Sequence, residues 1–420
     1  MELITKIVTA VLTLNSTVFV ALMMIVLCLV FRGGFQTALR SGLCFAAGIT
    51  GINTLMTMAI GSLEPIAQGI SANLGISASQ IDLGYAAGNM TVWPGMIFVI
   101  LGILLIDIIL VSLKLSNTLW TDIHNMWHGQ YVGAIAWACT GNVAIGVAAA
   151  LAAMVISLKL ADYHARRFQE FNEIGNVTLI ATAATLPATF SMLCMKVIDK
   201  IPGLNTVNVD GDELKDTFGV FGENLTIGAA LGIVLSLLAG IDLSTALYNG
   251  IVLGTTLGLF PRIAGLLVEG IVPLSSSISA FMKARFPGRE LNIAVDGAVL
   301  LGNPEVMSTF VLMVPISVVL CMVVPGIHFI PIASLTALPY WIGAIVPYTK
   351  GNYIHTILVT SLWIIVSSLI ASAMAGTITA TLGMVGFYTE EIAAGSVFTC
   401  WDEGGNIFAW LIKLVTGFTG

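Results

Sequence analysis

The chain has 420 residues, of which 57% are hydrophobic and 9% are charged, and its formal net charge is −7. Charged residues make up about a quarter of an ordinary soluble protein, so this composition excludes a soluble globular enzyme and predicts an integral membrane protein. The acidic balance, without a cluster of Arg and Lys among aromatic residues, excludes nucleic acid as the partner.

The long apolar runs lack the alternation of strands, and in lipid only helices or closed barrels satisfy all backbone polar groups. We therefore predict an all-α polytopic membrane protein with about 10–12 transmembrane helices. Some would be half-helices, because several runs fall short of the roughly 20 residues of a full crossing. The first run is interpreted as a retained helix rather than a cleaved signal. The predicted runs are 11–30, 44–60, 96–113, 132–158, 177–197, 226–239, 246–259, 263–281, 307–324, 332–346, 354–375 and 407–418.

Positive charge concentrates at 32–40, 159–167 and 283–289, which the positive-inside rule places in the cytoplasm. Three predicted runs separate the first two of these segments, but two loops on one side require an even number of crossings. The sequence therefore predicts a further embedded passage within 61–93 or 116–131. Residues 1–420 are predicted to form a single transport domain, with a polar loop at 199–224.

A pair of histidines occurs in the stretch "TDIHNMWHGQ". His124 and His128 are four residues apart, so on a helix they share one face. The alternative function from another class is an intramembrane metalloprotease, which the zinc content of the purified protein would test; its helix would carry HExxH, but Asn125 replaces the glutamate, so the general base is missing. Because ionisable residues inside membrane segments indicate a functional site by default, we predict that His128 faces a polar site. The alternative is structural, with both histidines capping helix ends or bonding to carbonyls.

Two interrupted segments combine an acid, a glycine and an asparagine. In "VDGAVLLGNPEV", Asp296 precedes a break at Asn303 and Glu305, and in "CWDEGGNIF", Asp402 and Glu403 precede two glycines. Paired interruptions of this kind indicate the central site of a transporter, and carboxylates and amides bind hydroxyl groups. We predict that these five residues contact the substrate. The alternatives are a helix cap at Asn303 and a juxtamembrane loop at Asp402.

The segment 41–113 contains no Lys or Arg, and a neutral hydroxylated ligand suits such surroundings better than an anion. Within it, "IDLGYAAGNMTVWPG" supplies Asn89 and Trp93 as further predicted substrate contacts, with an external loop as the alternative. Asp107 lies in apolar sequence and is a candidate proton carrier. We predict no bound metal and no cofactor.

Several stretches together resemble one family, the membrane C component of the galactitol-type bacterial phosphotransferase system, within the ascorbate-galactitol superfamily. They span nearly the whole chain in the family's order. They are DIHNMWHGQYVGAIAWACTG, KVIDKIPGLNTV, FGVFGENLTIGAALGIVLSLLAGID, VDGAVLLGN, VPISVVLCMVVPG and WDEGG.

The resemblance implies a homodimer in the bacterial inner membrane, each protomer having a scaffold and a substrate-carrying core. It implies alternating access for a sugar alcohol, which a separate B component with a phosphocysteine then phosphorylates, supplied by an A component. The C component accepts no phosphoryl group, so the chain is not expected to be an enzyme by itself. The resemblance departs at Ala181, which aligns with a histidine of galactitol members, and this brings another alditol or a pentitol into consideration.

These expectations describe a polyol transporter working by group translocation. The alternative is a secondary polyol transporter, with protons carried by Asp107, His128 or Glu305. The cationic stretch "KARFPGRE" at 283–290 is predicted to dock the B component, because the positive-inside rule places it in the cytoplasm.

Overall fold

The computed structural model describes residues 16–74, 79–121, 124–207, 209, 223–285 and 291–418, and most of them are helical. The helices that define the architecture are α1 (Ser16–Val30), α2 (Phe35–Leu74), α3 (Met96–Ser112), α4 (Trp127–Thr140), α5 (Val143–Asn172), α6 (Thr182–Ile198), α7 (Asn224–Leu238), α8 (Leu243–Arg285), α9 (Pro304–Val323), α10 (Leu338–Thr349), α11 (Tyr353–Met384), α12 (Thr389–Ala393) and α13 (Ile407–Thr416).

Within the described residues, three helices are long and apolar enough to cross a membrane by themselves. They are α5, α9 and α11, with mean hydropathies of 2.3, 2.5 and 2.1 over their most apolar windows. Such runs fit the thickness of the hydrocarbon core. The prediction of a helical membrane protein is therefore confirmed.

The predicted run 132–158 was wrong as a single helix, because α4 ends at Thr140 and α5 begins at Val143. Gly141 has a φ of +67°, a conformation that favours glycine after a helix. Asn142 then caps α5, its side chain accepting hydrogen bonds from the amides of Ala144 and Ile145. Residues 35–172 thus form four helices, α2 to α5, where three runs were predicted between the first two basic segments.

The predicted separation of 246–259 from 263–281 was also wrong, since α8 runs unbroken over 43 residues. It packs against α7 and α2. A Cβ atom added at Gly232 of α7 would lie 2.8 Å from the Cα atom of Gly250 in α8. Small residues at such contacts let helix backbones approach closely, so these glycines set the α7–α8 distance.

Short parallel strands, which hydropathy did not predict, connect the helices. They are β1 (Ile81–Asp82), β2 (Thr118–Leu119), β3 (Val177–Thr178), β4 (Asn292–Ala294) and β5 (Phe398–Thr399). β1 pairs with β5, and β4 lies between β2 and β3. Backbone polar groups remote from water need partners, and these pairs supply them for segments that are not helical.

The strands end beside the starts of short helical segments. β1 precedes a 3-10 helix at Gly84–Thr91, β2 precedes another at His124–Met126, and β4 precedes a third at Gly297–Gly302. The predicted run 177–197 accordingly begins with β3, and its helix, α6, starts only at Thr182. This arrangement brings several chain interruptions to one region of the fold.

The largest buried side chains pack close to this region. Trp341 of α10 lies 5.3 Å from Trp401 and 5.9 Å from Trp363 of α11, measured between ring centroids.

Within the predicted polar loop, 208 and 210–222 lie outside the described residues. The same holds for 286–290 of the predicted docking stretch and for 1–15 of the first predicted helix.

Candidate functional site

A cavity of about 440 Å³ lies where the strand ends and helix starts meet. This volume is within the usual range for small-molecule sites. Its lining residues are Gly88, Asn125, Trp127, His128, Leu179, Ile180, Ala181, Ala183, Ala184, Val295, Asp296, Gly297, Leu300, Ala337, Tyr340 and Asp402. We call it the substrate cavity.

His128 lies in the first turn of α4 and is 4% exposed. Its Nδ1 atom contacts the Oε1 atom of Glu403, which is 0% exposed and follows β5 along the chain. Because this bond occupies Nδ1, the imidazole has its other nitrogen, Nε2, available to a ligand. The Glu403 carboxylate therefore orients a histidine on the cavity wall.

Asp402 supplies a carboxylate to the same wall. Its Oδ1 atom is buried and has no hydrogen-bond partner among the described residues. A buried acceptor without a partner is unfavourable by about 1–3 kcal/mol. Asp402 therefore carries a buried acceptor that no described group satisfies, next to the cavity wall.

Asp296 lines the cavity from the end of β4 and accepts a hydrogen bond of 2.9 Å from the side-chain amide of Asn125. The rings of Trp127 and Tyr340 complete this wall. Tyr340 was not predicted, because a single tyrosine in the apolar stretch "LPYW" carries no signal. Asn125 lies in the histidine-containing stretch "TDIHNMWHGQ". The sequence indicated only that it replaces the glutamate of a metalloprotease motif and did not predict a contact with Asp296.

Asn303 and Glu305 do not occur among the described residues that line the cavity. The side chain of Asn303 accepts hydrogen bonds from the amides of Glu305 and Val306, at 3.0 and 3.4 Å, and so caps α9. The alternative interpretation of Asn303 as a cap fits this geometry. Its contact with a substrate stays a prediction, as does that of Glu305.

Asn89 and Trp93 also lie off the described cavity wall, although Gly88, next to Asn89, is part of it. Trp93 is buried, donates a hydrogen bond of 3.0 Å to the side chain of Gln130, and stacks on Trp137 with a centroid distance of 6.2 Å. These contacts are typical of a residue that packs α4. A role in binding stays a prediction for both.

His128, Asp402 and Glu403 offer donor atoms that all lie within 4.8 Å of one another. An imidazole nitrogen with two carboxylates is also a donor set for a divalent cation. The side chain of His124 lies outside the described part of the structure. The three groups are therefore able to bind either hydroxyl groups or a metal ion.

Comparison with known proteins shows the family to which the chain that carries this site belongs. Residues 10–391 match the model of a family described as the PTS system sugar-specific permease component. The chain belongs to this family. The resemblance noted in the sequence is thereby confirmed, and the protein is a transport component of a phosphotransferase system (PTS).

Two relatives from Escherichia coli strain K12 extend over almost the whole permease. One, named "Putative permease IIC component", is 30% identical over 408 residues, covering 96% of this chain and 92% of the relative. The other, named "PTS system galactitol-specific EIIC component", is 25% identical over 404 residues, covering 96% and 89%. A protein of the latter name from strain O157:H7 matches equally.

Proposed function

We propose that this permease takes up a sugar alcohol, binding it in the substrate cavity. The observation that carries the proposal is the cavity wall, which combines the acceptors Asp296 and Asp402 with the imidazole of His128. None of the described lining residues is Lys or Arg. A neutral polyol suits this wall because its hydroxyls donate to carboxylates, whereas an anionic sugar would meet negative charge without a compensating cation.

The two aromatic rings of the wall add apolar surface to the polar groups. Trp127 and Tyr340 supply faces against which the C–H groups of a polyol pack. Its hydroxyl groups would then point to Asp402, Asp296 and His128. Such a combination of few polar groups on a largely apolar wall is typical of sites that select a small ligand.

In the proposed reaction, the bound polyol is phosphorylated by a separate B component. A polyol hydroxyl oxygen attacks the phosphorus of a phosphocysteine, the new P–O bond forms as the P–S bond breaks, and the cysteine leaves as a thiolate. The hydroxyl proton passes to the imidazole of His128, which Glu403 orients. This chain supplies binding and proton acceptance, and the partner supplies the phosphoryl group.

The same proposal includes alternating access in a homodimer of the bacterial inner membrane, with scaffold and core segments interleaved in one transport domain. The description of the family and the name of the galactitol-specific relative support a sugar-transport role. Ala181, aligned above with a histidine of galactitol members, lies on the wall of the substrate cavity. A change of side chain at a lining position alters which ligand fits, so we propose an alditol or pentitol with galactitol as one candidate.

A secondary transporter coupled to protons is the second candidate. It is favoured by Asp107, which is buried in α3 and whose Oδ1 atom has no partner among the described residues. Its Oδ2 atom accepts a hydrogen bond of 2.8 Å from the amide of Trp120. Energised vesicles without any partner protein separate the candidates, because only the secondary transporter would concentrate unmodified polyol.

The test of the proposed function is equilibrium binding of labelled galactitol, sorbitol, mannitol, ribitol and arabitol to the purified full-length protein. We expect one of them to bind saturably, and we expect Asp402→Asn to weaken its binding at least about tenfold. His355→Ala is the matched control, since this buried histidine bonds to the carbonyl of Leu204 and does not line the cavity. Absence of binding by every alditol would refute the proposal.

A further inference from the structure

A second cavity, of about 20 Å³, adjoins the substrate cavity. The two share Leu179 and Ala184 as lining residues. A volume of this kind holds about one water molecule. Leu179 and Ala184 therefore lie between the substrate cavity and a small space beside it.

This second cavity lies between α5, α6 and α10, and its wall includes His164, Thr185 and Tyr348. The Nδ1 atom of His164 bonds to the Tyr348 hydroxyl, and its Nε2 atom lies 2.8 Å from the Thr189 hydroxyl. Polar groups are costly inside an apolar bundle. Here both ring nitrogens of His164 have hydroxyl partners, Tyr348 and Thr189.

Arg167 lies three residues beyond His164 on α5. Its Nε atom donates a hydrogen bond of 2.7 Å to the carbonyl of Pro347, and its guanidinium carbon lies 5.9 Å from the ring centroid of Tyr348. Both Pro347 and Tyr348 line the second cavity. These contacts hold the guanidinium against two residues of the wall of the second cavity.

The other cations of this basic segment are paired. Arg166 bonds to Glu170 at 2.7 Å, and Lys159 to Asp162 at 3.2 Å. Arg167 forms no ion pair with any residue that the structure describes. Within the described residues it thus differs from Lys159 and Arg166, whose charges are compensated by a neighbouring carboxylate.

We propose that a phosphomonoester binds at Arg167, and that the phosphorylated polyol leaves the substrate cavity past Leu179 and Ala184 to reach it. The inference rests on the proposed function, in which the product carries a phosphate. Asp296 and Asp402 line the substrate cavity without a lining cation among the described residues, so the new dianion is repelled there. A guanidinium binds phosphate through two parallel hydrogen bonds, and thus draws the product toward the basic end of α5.

The test of the phosphate site compares alditol and alditol phosphate binding to the purified full-length protein. The probes are galactitol, sorbitol and ribitol, each with its monophosphate. We expect Arg167→Gln to weaken phosphate-ester binding about tenfold or more and to leave the affinity for the free alditol unchanged. Arg166→Gln is the control on the neighbouring position, and we expect it to change neither affinity.

Three results of this comparison would overturn the phosphate site. They are an unchanged affinity of Arg167→Gln for the phosphate ester, an equal loss for ester and free alditol, and the same loss in Arg166→Gln. If no free alditol binds the unmodified protein, the proposed function fails as well. If the free alditol binds normally and one of the three results is found, the phosphate site at Arg167 is refuted and the proposed function stands.

The exit passage has its own test at Ala188, which lines the second cavity and not the substrate cavity. Ala188→Val fills the small space, whereas Ala188→Ser nearly preserves the volume. We expect the valine variant to bind free alditol normally and to slow phosphorylation-coupled uptake at least about tenfold, with the serine variant close to the unmodified protein. Normal uptake by a stably folded valine variant would overturn the passage.

Discussion

The contact between His128 and Glu403 joins two residues that are 275 positions apart in the chain. We predict that the two side chains act as one unit in binding the polyol. Glu403→Ala removes the acceptor that orients the imidazole, and His128→Ala removes the group that meets the ligand. Once either side chain is absent, the other has lost its function, so the double variant should bind no more weakly than the worse single variant.

The magnitude follows from the kind of bond. When the imidazole is absent or misaligned, a buried polyol hydroxyl is left without its partner, which costs about 1–3 kcal/mol and corresponds to a roughly 5- to 150-fold increase in Kd for each single variant. Contacting residues in one network show coupling energies of about 0.5–3 kcal/mol. If the double variant loses no more affinity than the worse single variant, the coupling energy equals the loss in the milder single variant. We therefore expect a coupling energy in the upper part of this range.

The assay is a double-mutant cycle of Kd for the alditol that binds, measured on the four purified proteins. Thermal unfolding of each variant checks that the protein is folded, because both side chains are buried. His355→Ala controls for the loss of a buried histidine elsewhere in the fold. Losses that add within about 0.5 kcal/mol would show that His128 and Glu403 act independently, and this would refute the reasoning.

Three further predictions concern single features. Asn303→Ala should lower the free energy of unfolding by about 1 kcal/mol through loss of the α9 cap and leave the alditol Kd unchanged; a tenfold rise in Kd would instead show the predicted substrate contact. Gly232→Ala should lower the Tm, because overpacking destabilises by about 1–3 kcal/mol, whereas Gly265→Ala, which meets open space in α8, should not; equal Tm values would contradict close α7–α8 packing. Removing divalent ions with EDTA should not change the alditol Kd, and a loss that zinc or manganese restores would show that the donor set of His128 holds a metal.

The residue types of the site could be predicted from the sequence, but their contacts could not. His128, Asp402 and Glu403 were predicted because polar groups are rare in this apolar chain, and Asp296 because it precedes a glycine break. Nothing local indicates that Glu403 lies behind His128 while Asp402 lines the cavity. That distinction depends on the tertiary placement of β5 relative to α4.

The boundary between α4 and α5 could have been predicted. Gly141 followed by Asn142 combines a glycine that ends one helix with an asparagine that caps the next. Hydropathy alone does not mark this boundary, because the turn is only a few residues long and both flanking segments are apolar. By contrast, strands of two or three residues are too short for their alternation to be detected in any sequence.

The short strands explain how an apolar protein holds polar side chains in fixed positions. Thr121 and Thr178 donate hydrogen bonds to the carbonyls of Ala294 and Ala161, so their side chains join the strands to each other and to α5. Gln169 of α5 adds a bond of 2.8 Å to Asn292 in β4. The two threonine bonds satisfy carbonyl groups that water cannot reach, and all three bonds fix the strand ends from which Asp296 and the Trp127–His128 turn extend. The polar wall of the cavity therefore rests on paired backbone, and its geometry is set before a ligand enters.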